Sequence, residues 1–205
     1  MTRIPRAQSE SGFYHVYVRG NGRQLIFEDD RDRRVFLQYL GNALTSSTVE
    51  LFAYCLMDNH YHLVVKAGQE NLATFARDLN RSYAVYFNRA HERTGHVFQD
   101  RYSSEPIEND SYFLSAIRYV HRNPVEARMT TTCSYRWSSY DLYLNEAVDR
   151  GGLIVNTDMA INMLGGIEVF REFHSHPGKE TFAEDCPYSE SMETCEMIDI
   201  ARTIL

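Results

Sequence analysis

Val35, Phe36, Tyr39, Leu40 and Ala43 recur at helical spacing within DRDRRVFLQYLGNAL and predict an amphipathic helix, with Asp29 or Asp30 as its cap. Upstream of it, FYHVYVRG (Phe13–Gly20) is β-branched and aromatic and predicts a strand, followed by turn formers at Gly20, Asn21 and Gly22. TVELFAYCLM (Thr48–Met57) predicts a second strand. Asp58 and Asn59 make a tight turn, and HYHLVVKA returns as a third strand, so the pair reads as a hairpin. ENLATFARDLNRSYAVYFNRAHERTG predicts a long helix. Leu72, Phe75, Ala76, Leu79, Tyr83, Tyr86 and Phe87 form its apolar stripe and Gly95 its stop. A short strand is expected within GHVFQDRYSSEPIE. NDSYFLSAIRYVHRNPVEARM then predicts a further helix, capped by Asp110 or Ser111 and bounded at Asn123 by Pro124. Beyond residue 141 the pattern weakens: VNTDMAINMLGGIEVFREFHSH allows two short helices, and the remainder is polar and acidic.

The order β-α-β-β-α-β, then a helix, is that of the ferredoxin-like split β-α-β arrangement. The expected class is therefore α+β: an antiparallel sheet with helices on one face, plus a C-terminal helical extension and an acidic tail. The expected division is a main unit over 1–143 and an extension over 144–205, the latter ending in a flexible tail. The arrangement hosts many activities and selects none.

Charge changes the picture more than composition does. The 205 residues carry a net charge of −7, which on its face disfavours nucleic acid. Residues 1–140, however, hold 16 Arg and one Lys against 15 acidic residues, whereas residues 141–205 hold 4 basic and 13 acidic. Arginine offers a planar fork of donors suited to phosphates and base edges. An Arg-rich body with an acidic tail fits nucleic-acid binding. Cys55, Cys133, Cys186 and Cys195 are widely spaced, without a CxxC pair, and read as free thiols. There is no apolar run of membrane-spanning length, and the first residues lack the apolar core of a signal peptide, so the expected compartment is the cytoplasm.

The chemistry concentrates in DNHYHLVV. A strand alternates its faces, so His60 and His62 point the same way and Tyr61 the other. Two such imidazoles either bind one divalent cation or sit as polar residues on a wet sheet face.

Five segments, in this order, carry a resemblance: FYHVYVRGNGRQLIFEDD, MDNHYHLVV, NRSYAVYFNRAHERTGHVFQDRYSS, YFLSAIRYVHRNPVEA and YRWSSY. Together they resemble the single-tyrosine HUH transposases of the IS200-like family, closest to the REP-associated tyrosine transposases, over roughly Phe13 to Tyr143. The resemblance implies an enzyme that cuts and rejoins single-stranded DNA at hairpin-bearing ends. It implies Mg²⁺ or Mn²⁺ held by His60 and His62, a nucleophile at Tyr119, and a further metal-holding residue at Asn123. Residues i and i+4 of a helix share a face, so Tyr119 and Asn123 can both look at the imidazoles. Tyr61 faces away, and Tyr112, about two turns from Tyr119, is the second choice of nucleophile.

Arg6, Arg19, Arg23, Arg81, Arg101 and Arg122 are the expected DNA contacts. TRIPRAQ resembles the arm that reads a short guide sequence in relatives, and Trp137 is expected in the core. Tyr83, Tyr86 and Tyr102 are expected to pack or to stack on DNA, and the acidic tail to be inert. The expected partner is single-stranded DNA with imperfect REP-like hairpins, bound by a monomer or homodimer. Two rivals remain. One is a non-catalytic hairpin-binding module or repressor on the same fold. The other is a hydrolase in which His60 and His62 activate water.

Overall fold

The computed structural model describes residues 7–144 and 152–176. The strands are β1 (Phe13–Arg19), β2 (Glu50–Leu56), β3 (His60–Lys66) and β4 (Ser103–Ile107). The helices are α1 (Asp30–Thr45), α2 (Gln69–Ala90), α3 (Asp110–Glu126), α4 (Tyr140–Tyr143), α5 (Asp158–Leu164) and α6 (Ile167–Ser175). The strands form one sheet in the order β2-β3-β1-β4, every neighbour antiparallel. This is the expected split β-α-β sheet.

Strand alternation divides the interior. Tyr14, Val16 and Val18 of β1 and Tyr61, Leu63 and Val65 of β3 face α1 and α2, where they meet Phe36, Leu40, Phe75, Leu79 and Tyr83. On the other side, Phe13 of β1, Val64 of β3 and Phe52, Ala53 and Cys55 of β2 meet Phe113, Ala116, Ile117 and Val120 of α3. A register shift between Leu51 and Ala53 lets Phe52 and Ala53 join the same side. The expectation of helices on one face is therefore corrected. The two crossover helices share a face, but α3 covers the opposite one, and α4, α5 and α6 extend that layer through Tyr143, Ala160 and Phe170.

Several boundaries also shift. Asp29 caps α1, accepting from the N–H groups of Arg31 and Asp32 at 2.7 and 2.9 Å. Asn109, not Asp110 or Ser111, caps α3 by accepting from Tyr112 N–H at 2.8 Å. α2 stops at Ala90, before Gly95, where His91 N–H closes the last turn on Phe87 O at 3.0 Å. α3 runs through Pro124 to Glu126 rather than ending at Asn123. Proline only removes one N–H there, near the end of the helix, where the carbonyls are about to lose their partners anyway.

Trp137 is buried in the main core as expected; Cys55 is buried with its thiol 3.6 Å from Met57 Sδ, and Cys133 is a buried free thiol. Cys186, Cys195 and the acidic stretch beyond residue 176 lie outside the described residues. No helix among the described residues is long and apolar enough to cross a membrane.

Candidate functional site

The hairpin turn between β2 and β3 is built to hold His60 in place. Met57 N–H donates to His60 O at 2.9 Å, and Asp58 O accepts from Ile26 N–H and Phe27 N–H at 2.9 and 3.1 Å. The Asp58 carboxylate pairs with Arg33, whose guanidinium is buried against the rings of Phe27 and Trp137. Gly20 N–H donates to Asn59 O at 2.8 Å, tying the end of β1 to the same turn. Tyr61 points through the sheet and donates to Asn80 Oδ1 at 2.6 Å, so it faces away from the histidines as expected.

On the α3 side, the rings of His60 and His62 are 4.8 Å apart and nearly perpendicular. Tyr119 of α3 meets His62 edge-on at 5.7 Å between centroids. One turn later, Asn123 Oδ1 lies 3.4 Å from His60 Nε2. Four side chains named from the sequence thus converge on one spot at the sheet–helix junction.

Burial is the first cause that lowers His60, to about 4; the Arg19 charge adds to it, while Asn123 and Asp58 oppose it. His62 is fully buried and lies well below the ordinary range, through burial first and then through His60, His15 and Arg19. Both rings are therefore neutral at pH 7, the form that can donate a lone pair to a cation. A neutral imidazole has one N–H. His60 Nδ1 is 2.6 Å from Asn59 Oδ1 and Nε2 is 3.4 Å from Asn123 Oδ1. The single proton serves the shorter contact, which leaves the Nε2 lone pair facing an amide oxygen. Two electron-rich atoms face to face suit a cation between them.

Among the described residues, no group of three or more His, Cys, Asp and Glu side chains is placed to hold a metal ion. The side chains that converge here are two imidazoles and one carboxamide instead.

A third histidine belongs to this cluster and was not picked out from the sequence. His15 of β1 is fully buried and stacked on His62, with planes 12° apart and Nε2 at 3.1 Å from His62 Nδ1. Tyr119 meets it edge-on as well, at 5.7 Å. Tyr17, directly opposite His62 in the ladder, lies beside both rings. The available signal was the period-2 spacing of Phe13, His15, Tyr17 and Arg19 along one strand.

The expected DNA contacts separate into groups. Arg19 pairs opposite His60 across the β1–β3 ladder, and its charge acts on both histidines. Arg23 is exposed beside the hairpin turn, its carbonyl facing Asn59 Nδ2 at 3.4 Å. Arg101 is exposed just before β4. Arg81 is exposed on α2, which covers the sheet face opposite the histidines. Arg122 donates to Glu126 Oε1 at 2.9 Å and to His174 O at 2.8 Å. Arg6 lies outside the described residues. Of the other tyrosines, Tyr83 and Tyr102 are buried, and Tyr86 donates to Asp32 Oδ1 at 3.0 Å. Tyr112 donates to Glu105 and is pushed far above the usual phenol range by burial and by that carboxylate.

Residues 8–123, more than half of the chain, match the family model described as IS200-like transposase. The fold matches a solved REP-associated tyrosine transposase bound to a REP hairpin with a TM-score of 0.59 and 14% identity, covering 77% of this chain and 93% of that one. A protein of Deinococcus radiodurans R1, classed as a candidate transposase, aligns with a TM-score of 0.41 and 16% identity over 62% of this chain and 95% of its own. No curated protein matches the chain.

Proposed function

The chain belongs to the IS200-like transposase family, and from that premise we propose that it is a metal-dependent single-stranded DNA endonuclease and strand transferase. It acts at hairpins of REP type through a 5′-phosphotyrosine intermediate. The observation that carries the reading is the convergence of His60, His62, Tyr119 and Asn123 at one sheet–helix junction. The hairpin substrate is proposed by analogy with the REP hairpin in the structurally similar transposase.

His60 Nε2, a nitrogen of His62 and Asn123 Oδ1 are the donors we assign to Mg²⁺ or Mn²⁺. Neutral imidazoles and an amide oxygen suit such ions, and the lone pairs of His60 and Asn123 already face each other. When bound, the ion polarises the scissile phosphate and offsets charge that develops on its oxygens.

Tyr119 supplies the nucleophile. Its ring is held edge-on against His15 and His62, which fixes its approach. A free phenol has a pKa of about 10 and is a weak nucleophile at neutral pH, so orientation and a nearby positive charge must supply the activation. The Tyr119 oxygen bonds to phosphorus as the bond to the 3′ oxygen breaks. The phenolic proton is released and the departing strand ends in a 3′-hydroxyl. The new phosphodiester to tyrosine conserves the energy of the bond that was broken, so a second 3′-hydroxyl can attack it, release Tyr119 and rejoin the strand without ATP. Arg19, across from His60 in the ladder, is the residue we assign to the phosphate backbone.

The test is to mix the protein with single-stranded hairpin oligonucleotides copied from the DNA flanking its own gene, with Mg²⁺ or Mn²⁺. A denaturing gel then reveals covalent product. The expected result is an adduct that disappears with chelator and in Tyr119→Phe. Hairpin binding without any adduct would support the non-catalytic module instead. Cleavage that survives Tyr119→Phe and leaves no protein–DNA link would support the hydrolase.

A further inference from the structure

We propose that Glu105 and His15 are positioning residues that fix the proton of His62 on Nδ1 and so leave its Nε2 lone pair turned to the site. This rests on the assignment of His62 as a metal donor and concerns how the chain prepares that donor.

The three residues come from three adjacent strands. His15 of β1 is directly opposite Glu105 of β4, while Tyr17, two residues along β1, is opposite His62 of β3. All point to the α3 face, where diagonal neighbours on paired strands are within reach of long side chains. His15 Nε2 is 3.1 Å from His62 Nδ1, and both rings are fully buried. Glu105 Oε2 is 4.0 Å from His15 Nδ1. The other Glu105 oxygen accepts the hydroxyl hydrogen of Tyr112 from α3, which holds the carboxylate in place.

These contacts order the protons. A carboxylate beside His15 Nδ1 favours a proton on that nitrogen, because the alternative aims a lone pair at a negative charge in a buried setting. With its ring proton on Nδ1, His15 offers Nε2 as the acceptor toward His62. Between His15 and His62 one nitrogen must donate, and with His15 Nε2 accepting, the donor is His62 Nδ1. Its Nε2 is left unprotonated. Ligating histidines commonly give their second N–H to a carboxylate or carbonyl, which sets tautomer and ring angle. Here the carboxylate acts one imidazole further away. Because Glu105 is held by a residue of α3, the helix that carries Tyr119 also helps set the tautomer of His62.

The test reads the tautomer directly. Full-length protein labelled with ¹⁵N at histidine, metal-free and at pH 7.5, is examined by long-range ¹H–¹⁵N NMR. The expected result is His62 with its proton on Nδ1. Glu105→Gln removes the charge and is expected to raise the Nε2–H fraction, with Glu105→Asp restoring the native pattern in part. Tyr112→Phe removes only the hydroxyl that holds Glu105 and keeps the test open should Glu105→Gln fold poorly. Affinity for Mn²⁺ is expected to fall about ten-fold in Glu105→Gln. A native His62 with its proton on Nε2, or a tautomer unmoved by both Glu105→Gln and Tyr112→Phe, would overturn the inference. If the native tautomer is as expected but the protein binds no Mn²⁺, the metal reading fails while this inference stands.

Discussion

His60 Nε2 and Asn123 Oδ1 face each other across 3.4 Å, one from the first residue of β3 and the other from the last turn of α3. His60 is neutral at pH 7, and its Nδ1 is engaged with Asn59. Asn123→Ala should therefore weaken Mn²⁺ binding on the order of ten-fold while leaving the fold intact, since Asn123 is only half-buried. Calorimetric titration with Mn²⁺ and a thermal melt decide it. Unchanged affinity in a folded variant would remove Asn123 from the donor set.

Gly20 is a second point where the site depends on backbone geometry. A Cβ built there would come within 2.2 Å of Gln24 O and 2.9 Å of the Ile26 side chain. The constraint is space rather than dihedral freedom, because φ is −64°. Gly20 N–H also holds Asn59 O in the turn that precedes His60. Gly20→Ala is expected to cost about 1–3 kcal/mol, as overpacking does, and to lower adduct yield beyond the loss of folded protein. Urea denaturation alongside the adduct gel tests this. A variant with wild-type stability would mean that the turn moves aside freely.

The site was half legible in the sequence, and the division has a physical cause. His60 and His62 share a strand, and Tyr119 and Asn123 share a helix, so the periods of 2 and 3.6 place each pair on one face without any tertiary knowledge. His15 is brought to His62 only by the β1–β3 register, which a chain pattern does not state. The second covered face was missed for a related reason. Crossover handedness places α1 and α2, whereas α3 follows the last strand and no crossover rule fixes its side. The alternating apolar residues Phe13 and Val64 on the histidine side of the sheet were the clue that this face is not open to solvent.

Phe170 tests whether the segment after residue 151 is part of the folded unit or a dispensable addition. It is fully buried, lies flat against Tyr143 with centroids 4.7 Å apart, and belongs to the same core as Phe113 and Ile117 of α3. Asn156 N–H also donates to Leu51 O of β2 at 2.8 Å. Phe170→Ala is expected to destabilise the whole protein by about 3–5 kcal/mol in one cooperative transition. A near-native midpoint by chemical denaturation would mean that α5 and α6 are not coupled to the sheet and α3.

The last prediction concerns pH and the buried histidines on the far side of α3. His174 Nδ1 is 2.9 Å from Phe170 O, which can only accept, so it carries the proton and Nε2 accepts from His121 Nδ1 at 3.1 Å. His121 Nε2 in turn accepts from the Ser139 hydroxyl at 2.8 Å, and Ser139 Oγ accepts from Tyr54 N–H at 2.9 Å. Every proton in this chain is used once, and both rings are neutral. Burial is the first cause that lowers His174, to about 3, and that holds His121 well below its ordinary range. In the unfolded chain both titrate near 6.5. The unfolded state therefore binds more protons than the folded state below that value, and stability rises with pH through the window. The contribution is complete above about pH 6.5 and is lost progressively as pH falls towards 3. Each histidine adds about 1 kcal/mol per pH unit to the slope in the middle of that window. His174→Gln removes one titrating group and keeps an amide that can donate and accept. Its unfolding free energy should depend less steeply on pH between 6 and 5, by about 1 kcal/mol per unit, than that of the native protein. Urea unfolding at three pH values measures both slopes, and equal slopes would show that His174 takes up its proton in the folded state.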